Sequence, residues 1–160
     1  KEIEAPDGFY SEIRRKLEAF QTINNEPTVC EFTSPFLTTG SQGFGPVDYS
    51  IESNGMLVIV IKVKKEDFNQ GTVQAFAQMH SAVKTGFEEG KFSVMMYSIV
   101  TSAREWVFIR WAGDSKKLKI AMTTQLPCPF DGDLSRAKEI LEYIIGILES
   151  IALSHHIKKL

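Results

Sequence analysis

Two strand-like runs, residues 47–53 and 56–63, flank the dipeptide Asn54-Gly55, whose members tolerate the positive φ that a tight hairpin turn requires. This hairpin constrains the fold more than any other stretch, because it sets which residues of the two runs face each other. The second run is apolar at consecutive positions from Met56 to Ile61, so it has no solvent face and belongs inside a sheet. Side chains alternate along a strand, which puts Val60, Lys62 and Lys64 on one face and Leu57, Ile59, Ile61 and Val63 on the other. A strict two-residue loop pairs Asp48 with Ile61 and leaves Asp48 on the face away from both lysines. A site that uses all three needs an odd-length loop or a bulge. A three-residue loop with Gly55 left-handed pairs Asp48 with Val60 and brings Lys62 diagonally near.

Helical periodicity frames the hairpin. Asp7 can cap a helix over residues 8–22, where Phe9, Tyr10, Ile13, Leu17 and Phe20 recur at three- and four-residue spacing. Pro27, Pro35, Gly40, Gly43, Gly45 and Pro46 predict a long loop, of a kind that is often functional, with a short strand near 28–33. Residues 69–86 read as a second helix with Asp67 as its N-cap. Val73, Phe76, Ala77, His80 and Val83 form its apolar face, and Gln70, Gln74 and Gln78 line up four residues apart. Strands are predicted over 91–101, 106–112 and 118–124, and an apolar helix over 134–154. The order gives an α/β (α+β) sandwich in which helices flank one central mixed sheet, as a single domain spanning 1–160.

Charge narrows the partners. Eighteen Lys and Arg against 20 Asp and Glu leave a net charge of -2, so there is no overall basic field and any nucleic-acid surface is a local patch. Cys30 and Cys128 have no metal-ligand or disulfide-framework spacing, which favours a reducing, intracellular compartment. The apolar run at 56–61 is too short for a bilayer, so no membrane association is expected. The charged start without Met reads as a domain excised from a longer protein.

A metal-dependent phosphodiesterase needs carboxylates to hold Mg²⁺ or Mn²⁺ against the scissile phosphate, and a lysine to stabilise charge beside the attacking water. Asp followed on a neighbouring strand by Glu-x-Lys supplies those groups. Here Gly45-Pro46-Val47-Asp48 opens one strand, and the other closes on Lys62-Val63-Lys64, so the second motif reads Lys-x-Lys.

These residues, with the run from Lys65 through Phe68-Asn69-Gln70-Gly71 to Gln74 and Gln78, and with Tyr97-Ser98-Ile99-Val100-Thr101 and Glu105-Trp106-Val107-Phe108, carry a resemblance to a known group. The chain resembles the PD-(D/E)XK (restriction endonuclease-like) nuclease domain of Crinkler-type effectors and related fungal and oomycete proteins, by motif over residues 45–112. The resemblance implies a nuclease-like core in which Asp48, Lys62, Lys64 and Gln78 occupy catalytic positions and Gln74 reaches toward nucleic acid. It also implies Mg or Mn as cofactor if the domain is active, and delivery into a host cell and its nucleus. The sequence departs from the pattern at Lys62, where the family has an acid. A protonated lysine has no lone pair for a divalent cation and opposes its charge. Two outcomes follow: an ammonium beside Asp48 replaces the ion and cleavage is weakened or lost, or an acid arrives from elsewhere, with Glu12, Glu18, Glu31 and Glu66 as candidates.

Arg14, Arg15 and Lys16, with Lys65, Lys116, Lys117 and Lys119, offer local charge for a nucleic-acid backbone. His80 falls on an apolar face, where a hydrogen-bonded core histidine is the expectation. Trp106 and Trp111 stand at odd separation on one strand and so point to opposite faces, both into core. The final helix is apolar over more than one face, which predicts a homodimer or a docked protein partner there.

Overall fold

The computed structural model describes residues 8–19, 48–53, 56–63, 68–88, 93–114, 117–130 and 133–156. Its elements are α1 (Phe9–Ala19), β1 (Asp48–Ser53), β2 (Met56–Val63), α2 (Phe68–Glu88), β3 (Ser93–Thr101), β4 (Glu105–Asp114), β5 (Leu118–Met122), β6 (Leu126–Pro127) and α3 (Ser135–His156). The strands form one mixed sheet in the order β1-β2-β3-β4-β5, with β6 also on β4. Neighbouring strands are antiparallel except β2 and β3, which run parallel because α2 carries the chain back between them. The apolar β2 is internal, as its lack of a polar face requires. The expected short strand at 28–33, the loop around it, and the caps at Asp7 and Asp67 lie outside the described residues.

Alternation along β3 and β4 builds two cores. Tyr97, Ile99, Trp106 and Phe108 face one side, where they meet Phe9 and Ile13 of α1 and Ala137, Ile140, Leu141 and Ile144 of α3. Met96, Val100, Val107, Ile109 and Trp111 face the other, against Ala75, Met79 and Val83 of α2. The two tryptophans therefore point into opposite cores, at 0% and 6% exposure. Burying side chains of this size contributes about 1.5–3 kcal/mol each.

Helix α2 is rotated from the expected face. Gly71, Ala75, Met79 and Val83, four residues apart, form its buried stripe, whereas Val73 is 66% exposed and Ala77 and His80 are exposed. The small residues at 71 and 75 let the helix backbone approach the sheet closely, a benefit that hydrophobic periodicity does not register. Helix α3 places its apolar arc against the rest of the protein. Its described apolar residues are taken up inside the protein, Ile140, Ile144, Ile147 and Ile151 fully and Ile145 and Leu148 partly, because α1 and the sheet together cover a wide arc. Tyr143 is its one large apolar residue left exposed among those described.

The link between β3 and β4 is held by side chains. Ala103 is buried with φ 68°, a left-handed conformation disfavoured for any residue with a Cβ. The Thr101 hydroxyl accepts from the Ala103 N–H at 2.9 Å and donates to the Glu105 carbonyl at 3.0 Å, and the Trp106 indole N–H donates to the Ala103 carbonyl at 2.9 Å. At the start of α3, the Asp133 carboxylate accepts the Ser135 N–H at 3.0 Å. That backbone bond holds its carboxyl below the usual carboxylate range.

Two measurements check these devices. Thr101→Val orphans the Ala103 N–H and removes a donor from Glu105, so denaturant unfolding is expected to show a loss of about 1–3 kcal/mol. Because the Asp133 pKa is depressed in the folded state, its contribution is present above the ordinary carboxylate range and is lost as pH falls through the folded value. The drop in melting temperature on acidification below pH ~4 is therefore expected to be shallower in Asp133→Asn, which keeps an acceptor oxygen but does not titrate.

Candidate functional site

The hairpin turns on a two-residue connection, since Ser53 pairs with Met56. Glu52 pairs with Leu57, but Ile51 pairs with Ile59, so Val58 has no partner and forms a one-residue bulge. Beyond it the register is shifted by one, and Asp48 stands directly opposite Lys62. This differs from both pairings considered from sequence: the strict loop that opposes Asp48 to Ile61, and the three-residue loop that opposes it to Val60. The bulge makes up the odd residue within the strand, so the turn stays short.

Across the parallel pair, Lys62 is in register with Val100 and Val60 with Ser98. Val100 belongs to the core beneath α2. Positions 48 and 62 therefore belong to the face of the sheet that α2 covers, at the carboxyl end of β2, four residues before α2 begins. Crevices at the carboxyl ends of parallel strands are where open α/β sheets take ligands.

The flank of α2 nearest these positions carries the glutamines. The His80 ring lies 6.1 Å from Trp111 of β4, so that side of the helix is turned toward β4. Gln78 is two residues, or about 200°, around the helix from His80, which turns Gln74 and Gln78 toward β2. At 1.5 Å rise per residue, Gln74 is about 9 Å and Gln78 about 15 Å along the axis from Phe68. Gln74 is therefore the nearer of the two to the level of Asp48 and Lys62. The Gln78 side-chain oxygen is buried with no hydrogen-bond partner among the described residues. A buried acceptor left this way costs about 1–3 kcal/mol, so Gln78 is an unexplained polar group on the same helix flank, further from the hairpin end than Gln74.

Other sequence candidates fall elsewhere. Lys64 and Lys65 lie outside the described residues, as do Glu31, Glu66 and Lys116. Arg14 and Arg15 are exposed on α1, which packs on the opposite face of the sheet, so the fold separates them from Asp48 and Lys62. Lys16 is not the solvated charge expected of it: it is 7% exposed, and its ammonium is 3.8 Å from the Glu12 carboxylate. Glu12 and Glu18, offered as replacement metal ligands, belong to this same helix on the wrong face. His80 is exposed rather than buried, because the rotation of α2 turns it outward.

The residue in register with Asp48 is a lysine, and among the described residues no three His, Cys, Asp or Glu side chains gather to hold a metal. A cysteine nucleophile fares no better. Cys128 is fully buried, and burial, reinforced by the charge of Glu139, pushes its thiol up to about 12. The arrangement that remains is a carboxylate position opposite an ammonium position, beside a helix flank of amides. Such groups can bind and orient a ligand.

No family model matches the chain, and no solved structure matches it. The chain is similar to Crinkler effector protein 1 of Rhizophagus irregularis (strain DAOM 181602 / DAOM 197198 / MUCL 43194), with 29% identity over 140 residues. The match covers 79% of this chain and 29% of that protein, so the chain spans under a third of its relative's length. Among the described residues, no helix is long and apolar enough to cross a membrane.

Because the thiolate is the reactive form, Cys128 is expected to resist alkylation in the folded protein at pH 8 and to react on unfolding. Iodoacetamide labelling followed by mass spectrometry, in a Cys30→Ser background, should show at least a ~100-fold difference in rate between the two states.

Proposed function

We propose that this chain is a nuclease-like domain of an effector-type protein, in which a lysine has taken the place of the second metal-binding acid and which binds nucleic acid without cleaving it. The pairing of Asp48 with Lys62 across β1 and β2 carries the reading. In a metal-dependent nuclease of this pattern the two positions hold carboxylates that share a cation. Here one position is cationic, so the charge that would recruit Mg²⁺ or Mn²⁺ is offset where the ion would sit. Gln74 and Gln78, on the α2 flank facing this strand pair, would contribute amide donors and acceptors to phosphates or base edges.

Similarity to a Crinkler effector protein supports the effector-type part of this proposal. The mixed sheet covered by helices on both faces is compatible with a nuclease-like core. Action inside a host cell, including its nucleus, belongs to the same proposal.

Incubation of plasmid DNA and of RNA with Mg²⁺ or Mn²⁺ is expected to leave both intact with the wild-type protein. Lys62→Glu restores a second carboxylate and is expected to give measurable Mn²⁺ binding by calorimetry where the wild type gives none. Cleavage by the wild type that disappears in Asp48→Ala would show that an acid has reached the site from another position and would overturn the proposal.

A further inference from the structure

On the opposite face of the sheet, between β4 and α3, lies a shallow, open groove of about 500 Å³ that neither the hairpin nor α2 lines. Arg110, Glu142, Tyr143, Gly146, Tyr97 and Ser150 contribute to its wall. A second cavity of about 250 Å³ shares Arg110 and Tyr143 with it. The volume is within the range of small-ligand sites.

The wall combines four kinds of group. Arg110 is exposed, with no ion-pair or hydrogen-bond partner among the described residues, although Glu139 and Glu142 line the same cavity. Glu139 is held by Arg136, one turn back on α3, which leaves Glu142 available. Lys119 on β5 is also exposed and shares this face: Ala112 pairs with Lys119 and Arg110 with Ala121, so the two cations are diagonal neighbours about 7 Å apart between Cα atoms. Tyr143 is 41% exposed, with one ring face stacked on Phe108 at 5.1 Å and 16°. The Tyr97 and Ser150 hydroxyls bond each other at 2.9 Å at the floor.

Gly146 lines the same groove from α3. It sits inside α3, where glycine is the residue most costly to helix stability after proline. Packing does not demand it, because a Cβ built there meets no atom within 4 Å. Gly146 is exposed, and a Cβ there would stand in open space at the mouth of the groove.

We propose that this cavity binds one unpaired nucleotide, with its phosphate on the diagonal pair Arg110 and Lys119, its base stacked on Tyr143, and the base's N–H donors directed to Glu142. Each group then has a partner of matching chemistry: Arg110 in the wall, with Lys119 beside it on the same face but outside the lining, for a phosphate, a half-covered ring for a base face, and a carboxylate for an amine edge. Guanine is the preferred base, since its ring N–H and exocyclic amine present two adjacent donors to one carboxylate. The nucleotide is either free or part of a single strand. The proposal shares with the reading of the Asp48–Lys62 end only its class of ligand, and stands on a different face.

Calorimetric titrations in EDTA separate this proposal from the divalent-cation test of the other site. The probes are GMP, UMP, ribose 5-phosphate and a five-residue oligoguanylate. Saturable 1:1 binding of GMP is expected, at least tenfold tighter than UMP and with no detectable binding of ribose 5-phosphate. Arg110→Ala and Glu142→Gln should each weaken it tenfold or more, and Tyr143→Leu should do so while Tyr143→Phe does not. Gly146→Ala is expected to raise the melting temperature while weakening binding, a combination that damage to the fold cannot produce. Oligoguanylate binding tighter than GMP by tenfold or more identifies a strand as the source, and equal affinity identifies the free nucleotide. Absence of saturable binding by both GMP and the oligoguanylate, equal affinity for ribose 5-phosphate, or insensitivity to the Arg110 and Glu142 substitutions would overturn the proposal.

Discussion

Antiparallel pairing of β3 with β4, continuous from Ser93 opposite Asp114 to Thr101 opposite Trp106, sends side chains alternately into two cores. Each remaining helix is anchored to one side of this strand pair: α1 and α3 to the Trp106 side, α2 to the Trp111 side. A slip of one residue would exchange the two sets and strand Tyr97, Ile99, Met96 and Val100 under the wrong helices. The β3–β4 link is where such a slip would have to start, and three hydrogen bonds through Thr101, Ala103 and Trp106 hold it in one conformation. That the chain tolerates a buried alanine with positive φ there shows how strongly the two cores determine the register.

The two candidate sites depend on the same pairing in different ways. On the α2 side, β2 is positioned by its parallel register with β3, and β1 by its pairing with β2, so Asp48 reaches its place through two successive ladders. On the α3 side, Arg110 is carried by β4 itself and Tyr143 stands on its neighbour Phe108. The second site is thus built directly on the longest-paired strands, and the first on the margin of the sheet.

What the sequence discloses follows from which physical signals it carries. The odd separation of Trp106 and Trp111 along one predicted strand assigned the two tryptophans to opposite faces. The unbroken apolar run identified β2 as internal. The face of α2 was misjudged because Gly71 and Ala75 act through their smallness, whereas exposed Val73 has the composition of a core residue. The register of the hairpin was left open because Val58 is as apolar and β-branched as its neighbours, and nothing in its identity says that it lacks a partner. β6 was missed because two residues cannot show a period; Leu126 and Pro127 are placed by the bond from the Cys128 N–H to the Arg104 carbonyl and by pairing with β4. The cavity under Tyr143 brings together residues 33 positions apart, and its one local sign was a glycine inside an otherwise strong helix.

The bulge at Val58 also affects how relatives of this chain should be aligned. Thirteen residues separate Asp48 from Lys62, and an odd number between two directly opposed hairpin residues requires a bulge or an odd turn. An even number requires neither. In an alignment, then, the parity of a gap within this stretch matters more than its length. Losing or gaining two residues can leave the opposed pair intact with its bulge. Losing one either removes the bulge or moves the aspartate to the other face of the sheet, so homologues whose sequences look almost ungapped here can differ in whether the two positions meet at all.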